Sequence, residues 1–285
     1  MGRQPGLDGI RTFSVGMVAL HHAEIVQIQI FGEGSHHEVI TGGFVYPEMF
    51  FVMSGFLITT IMLQERESTG RFSLKGFYAR RGRRLLPALW VMMAAAITWA
   101  TFFGYVTAPG RTVGARYHLG SMEGSTIASF FMVQNWWMIF SRNGYFGGFP
   151  DLFRHIWTLS IDEQFYIVFP LVLVALYGRG RHFDLRKLLW AIVPFIALGW
   201  FVMAWKFEAP LGDDNFAVNF VYLSTITRMP GILLGVALAC LWRPWRWPQA
   251  NRGHLPWLDV VGLVGDVDRP ARRRRARDPL RRRAL

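Results

Sequence analysis

The chain has 285 residues, 52% hydrophobic and 15% aromatic, with a mean hydropathy of +0.24; these values exclude an ordinary soluble domain and fit a polytopic membrane protein. A single cysteine, Cys240, excludes a disulfide framework and a cysteine-ligated metal site. The formal charge is +12, but residues 266–285 hold nine of the 31 basic residues against three acids, so half of the excess lies in that tail and nothing argues for a nucleic-acid partner.

Runs of about 20 apolar residues bounded by charges and turn residues predict membrane spans. The first, 10–31, carries Arg11 and His22 eleven positions apart. At about 100° and 1.5 Å per residue the two share a helix face, with His22 roughly 16 Å deeper. An ionisable residue inside an apolar span is costly unless it meets a polar cavity or partner, so the pair marks a functional site buried in the membrane. Further spans are predicted over 43–63, 85–107, 157–177, 188–206 and 221–242. The run IASFFMVQNWWMIF at 127–140 is shorter and rich in Trp and Phe, and reads as a re-entrant or interfacial piece. The expected fold is an all-α, polytopic transmembrane helix bundle of six to seven spans plus that short helix.

Charge bias orients the bundle. Arg3 and Arg11, then Lys75, Arg80, Arg81, Arg83 and Arg84, then Arg179, Arg181, Arg186 and Lys187, then Arg243, Arg246 and Arg252 all fall on one side if 127–140 does not cross. The positive-inside rule makes that side, with the N-terminus, cytoplasmic, and places the acidic loop FEAPLGDDNF at 207–216 outside. GLDGIR runs straight into the first span without a small-residue cleavage site, unlike a signal peptide. The hydrophobic pattern stops after LDVVGLVG at 258–265. The expected organisation is therefore one membrane domain, 1–265, and a disordered Arg-rich tail, 266–285, suited at most to anionic lipid head groups.

Depth then sorts the polar residues. Arg11 lies at the cytoplasmic mouth of the first span, His22 near its middle, and Arg81 and Arg84 flank the cytoplasmic start of the third, making a cationic rim. Trp157, Asp162, Glu163 and Gln164 open the fourth span from outside, and Arg228 lies about 10 Å into the sixth from the same side. A neutral imidazole can take a proton from a hydroxyl and return it to a leaving group near neutral pH, as acyl transfer requires. Guanidinium groups bind phosphates, so a phosphate-bearing donor from the cytoplasm is inferred: a coenzyme A ester, a nucleotide or a polyprenyl phosphate. Glu163 either positions a catalytic group or pairs with Arg228 to hold two helices together. Ser54 reads as a small residue at a close helix contact, and Trp136, Trp137 and Trp157 as interface markers. NGYFGGF at 143–149 reads as a turn or an acceptor loop. A transporter or flippase of an anionic lipid-linked glycan would use the same arginines without chemistry, although no inverted repeat is evident.

These residues resemble the acyltransferase 3 family of integral-membrane O-acyltransferases. GLDGIRTFSVGMVALHHAE is similar to the family's opening motif, whose arginine and histidine fall on Arg11 and His22. FFVMSGFLIT at 50–59, FYARRGRRLLP at 77–87, HIWTLSIDEQFY at 155–166 and YLSTITRMPGILLG at 222–235 resemble its later motifs, in order. Glu48 stands where the family usually has Asp, Thr158 where it has Ser, Asp162 in place of the first of two glutamates, and His21 in place of an apolar residue. The resemblance implies transfer of an acyl group, often acetyl, from cytoplasmic acyl-CoA to a hydroxyl of a sugar, glycolipid or envelope polymer in a bacterial inner membrane, with no permanently bound cofactor and no metal. It assigns catalysis to His22, Arg11 and Glu163, donor binding to Arg11, Arg81 and Arg84, and the substrate path to Glu48, Trp157, Asp162 and Arg228. Similar proteins usually have about ten spans, so a C-terminally shortened chain, or an inactive remnant of one, is a further expectation.

Overall fold

Backbone groups that leave water must close their own hydrogen bonds, and apolar runs of this length do so as helices. The computed structural model describes residue 9 and residues 12–23, 46–103, 119–141, 145, 152–177, 184–208 and 215–242. Arg11 and the Arg-rich tail lie outside the described residues. Helix α1 covers 12–23; α2 is Tyr46–Thr69, α3 Leu74–Phe103, α4 Leu119–Phe130, α5 Gln134–Phe140, α6 Trp157–Tyr177, α7 Leu185–Glu208, α8 Asn215–Leu223 and α9 Thr225–Leu241. No strand occurs among the described residues.

Five stretches, Tyr46–Thr69, Leu74–Thr101, Arg154–Tyr177, Leu185–Lys206 and Phe216–Leu241, are long and apolar enough to cross a membrane. They coincide with five of the six predicted spans; of 10–31 only 12–23 is described. Two boundaries differ from expectation. Helix α3 begins eleven residues before the predicted 85, because Arg81 finds a carboxylate on a neighbouring helix and Tyr78 a backbone carbonyl there. The span predicted over 221–242 is broken at Ser224, whose hydroxyl caps α9 by accepting from the Ile226 N–H at 3.1 Å.

Inter-helix contacts fix the relative directions. Glu48 meets Arg228 and Phe56 stacks on Trp242, so α2 and α9 run parallel. Phe51 meets Trp157 and Ser54 meets Asp162, so α6 runs with them. Tyr78 bonds to the Ile167 carbonyl, Arg81 to Glu163, and Leu89 packs near Ile156, so α3 runs against α6. Gly199, late in α7, meets Ile226 and Pro230, early in α9, as an antiparallel neighbour would. Since α3 and α6 are antiparallel, the chain between them leaves and returns at the same face. Helices α4 and α5, with 12 and 7 residues, are too short to cross. They are separated at residues 131–133 by Met132 in the left-handed region, φ 56°. The reading of 127–140 as a re-entrant or interfacial piece that does not cross thus holds.

Small residues bring α2 and α9 together. A β-carbon on Gly55 would strike the Ile232 carbonyl, and one on Gly235 the Val52 carbonyl, so the backbones touch where glycine alone fits. Outward, α7 presents Trp190, Phe201 and Trp205, the apolar surface a helix shows to lipid.

Candidate functional site

The site lies where α2 and α6 begin and the α8–α9 span is broken, at one end of the bundle. On α1, the His22 Nδ1 lies 2.8 Å from the Val18 carbonyl. A carbonyl only accepts, so Nδ1 carries a proton and donates, and in the neutral ring Nε2 then holds the lone pair. That lone pair faces the Tyr145 hydroxyl at 3.0 Å. Burial pushes the Tyr145 phenol above its ordinary range, offset in part by the nearby Arg154 guanidinium, so the hydroxyl remains a donor to His22 throughout the physiological range.

Tyr145 is held by aromatic neighbours. Its ring centroid is 5.0 Å from Tyr222 and 6.1 Å from Trp157, and Trp157 in turn lies 4.9 Å from Tyr222. Arg154 lies over the Tyr145 ring at 5.7 Å and donates to its carbonyl at 3.3 Å. Trp157 is only 3% exposed and sits inside this cluster, which corrects its reading as an interface marker: three aromatic partners, not head groups, surround it. Behind Tyr222, Arg228 donates through Nε to the Tyr222 carbonyl at 2.7 Å and through Nη1 to Glu48.

A second polar group lies six residues further along α6, about 9 Å. Arg81 donates through Nε and Nη2 to Glu163 at 3.0 and 2.9 Å, and its guanidinium lies 3.3 Å from the Tyr166 ring centroid. Ser54 donates to Asp162 at 2.8 Å. Two sequence expectations change here. Glu163 pairs with Arg81, not Arg228, because the antiparallel register of α3 on α6 brings them level, while α9 offers Arg228 to Glu48. The close helix contact belongs to Gly55, and Ser54 beside it serves as a hydrogen-bond donor. Arg84 is exposed one turn beyond Arg81.

Sequence reasoning placed Gln164 at the head of the fourth span but missed that, with Asn135 and Thr225, it holds the broken helices. Gln164 donates to the Met132 carbonyl at 2.8 Å and to Asn135 Oδ1 at 2.9 Å; Asn135 donates to the Leu223 carbonyl at 3.1 Å; Thr225 donates to Gln164 Oε1 at 2.6 Å. Carbonyls freed at 131–133 and at 223–224 are thus satisfied by amide side chains of α5 and α6, the requirement for irregular backbone at membrane depth. Amide side chains in apolar runs, at Gln134, Asn135 and Gln164, were the available signal. Gln164→Leu removes a donor from two oxygens and an acceptor from Thr225. It is expected to cost roughly 2–4 kcal/mol and to show as a lower midpoint of thermal unfolding in detergent; an unchanged midpoint would mean water fills the gap. Among the described residues no cluster of three metal-ligating side chains occurs.

A family model for an acyltransferase domain matches residues 4–258. The O-acetyltransferase OatA of Staphylococcus aureus is 32% identical over 263 residues, 92% of this chain and 38% of its own length. YrhL of Bacillus subtilis, provisionally named a peptidoglycan O-acetyltransferase, is 34% identical over 251 residues, 87% of this chain and 34% of its own length. The chain therefore spans little more than a third of the length of these curated relatives. No solved structure matches it.

Proposed function

Because this chain belongs to the acyltransferase 3 family, we propose that it moves an acetyl group from cytoplasmic acetyl-CoA to a hydroxyl of an envelope carbohydrate, with His22 as general base. The observation that carries this reading is the His22 ring itself, its Nδ1–H committed to Val18 and its Nε2 lone pair aimed at a hydroxyl 3.0 Å away. An acceptor hydroxyl in that position gives its proton to Nε2 as its oxygen forms a bond to the thioester carbonyl carbon. The tetrahedral intermediate then expels the thiolate, which takes the proton from the imidazolium. Atoms balance without a cofactor: one O–acyl bond forms, one S–acyl bond breaks, and the proton passes from acceptor to coenzyme A.

The other residues have roles that follow from their contacts. Arg81 presents a guanidinium fixed by Glu163 and Tyr166, with Nη1 outside the Glu163 pair, and Arg84 lies one turn away; together they suit the donor phosphates, and Glu163 positions Arg81. Arg11, the counterpart of His22 on the first span, completes the donor end. Trp157, Glu48 and Arg228 wall the acceptor side, with Asp162 between the two groups. The positive-inside rule supports a cytoplasmic N-terminus, and the bacterial sources of the relatives favour the plasma membrane as its location. The names of the relatives favour a peptidoglycan-like polymer as acceptor.

The test is release of coenzyme A from labelled acetyl-CoA by the purified protein in nanodiscs, with and without peptidoglycan fragments. Acceptor-dependent release with label appearing on the glycan supports the reading. Donor binding without release, or glycan movement across vesicles without release, overturns it.

A further inference from the structure

An enzyme that activates a hydroxyl beside a thioester faces water as a competitor, whose attack would waste the donor. A general base does not by itself discriminate between the two, because either O–H can occupy its lone pair. The described structure holds an answer in Tyr145. Its hydroxyl occupies the His22 Nε2 lone pair at 3.0 Å, the same position an acceptor hydroxyl needs. Its phenol is kept protonated by burial, and its ring is steadied by Tyr222, Trp157 and Arg154.

We propose that Tyr145 is the specificity residue of this site: in the absence of acceptor it holds the His22 lone pair and keeps water from being activated, and it yields that lone pair only to an acceptor whose remaining contacts replace the lost bond. This rests on His22 being the base. A carbohydrate brings further hydroxyls and ring faces to the surrounding side chains, and that binding energy offsets the lost Tyr145–His22 bond; a water molecule brings nothing comparable. The discrimination is thus made by binding energy remote from the reacting atom. Trp157 and Tyr222 hold Tyr145 against small displacements, which is why the phenol returns to the lone pair when the acceptor leaves.

Tyr145→Phe keeps the ring and its stacking while removing the hydroxyl. Two readouts follow, both in nanodiscs. The first needs no turnover: the free Nε2 lone pair of His22 attacks a carbonyl carbon of diethyl pyrocarbonate and becomes carbethoxylated, with the His22→Gln protein as the background to subtract. Carbethoxylation is expected to run about five- to tenfold faster in Tyr145→Phe, the factor that one hydrogen bond commands. The second is coenzyme A release. The acceptor-independent rate is expected to rise by about the same factor, and the acceptor KM to fall, while kcat with saturating acceptor is kept.

Equal carbethoxylation rates in the two proteins would overturn the proposal. So would a collapse of kcat with saturating acceptor, since Tyr145 would then carry the proton and would not be guarding the base. Faster carbethoxylation with no thioester cleavage in either protein would uphold the hold of Tyr145 on His22 and bring down the acyl-transfer reading alone.

Discussion

His22→Gln is expected to lower acceptor-dependent coenzyme A release by roughly 10²–10⁴-fold, the usual worth of a positioned general base, while leaving donor binding in place. Glutamine keeps length and can still bond to Tyr145, but it has no nitrogen that accepts and returns a proton. The substitution is mild structurally: His22 is exposed, and its bonds are to Val18 of its own helix and to Tyr145. Stability should therefore change little, which separates a chemical loss from an unfolded protein. His21 stands 6.0 Å away, ring edge to ring face, as the neighbouring histidine on the same helix. The same measurement on His21→Gln decides between them: full loss there with retention in His22→Gln would move the base one residue, to the other side of α1.

The second large effect is on the fold. Arg228→Met removes the cation from a pair whose side chains are 10% and 30% exposed, leaving the Glu48 carboxylate against α9 with no opposite charge in its pair. Breaking one partner of a buried ion pair costs about 3–5 kcal/mol, more than replacing both. It also frees the Tyr222 carbonyl that the Arg228 Nε satisfies, and Tyr222 supports Tyr145. The single variant is expected to lose most of its monodisperse peak in size-exclusion chromatography, and the double variant Glu48→Gln/Arg228→Met to recover much of it. A double variant no better than the single one would show that the guanidinium matters for its bond to Tyr222 and not for its charge.

The sequence was most readable where burial and length dominate. Residues 157–177 were delimited to the residue, because a Trp-led apolar run between turn residues leaves one helix solution. The start of α3 was misplaced because hydropathy sees where lipid begins, not where a helix does; Lys75 to Arg84 carry five basic residues and are helical. The residues of the site were visible as ionisable groups in apolar runs, but their partners were not. Whether Glu163 meets Arg81 or Arg228 depends on the register of one helix on another, which periodicity within a helix does not encode. Tyr145 was hidden in NGYFGGF, where glycines signal a turn and say nothing about the one side chain that matters. The bond from Asn135 to the Leu223 carbonyl was hidden for the same reason, since it joins positions 88 apart.

The Glu48–Arg228 pair has a consequence for how the protein is made. The two residues are 180 positions apart, and at ribosomal speeds of about 5–20 residues per second Arg228 is synthesised roughly 10–40 s after Glu48. For that interval Glu48 lacks its Arg228 partner and Gly55 lacks the α9 backbone that covers it, so α2 is the helix that an insertion factor would have to shelter until α9 arrives.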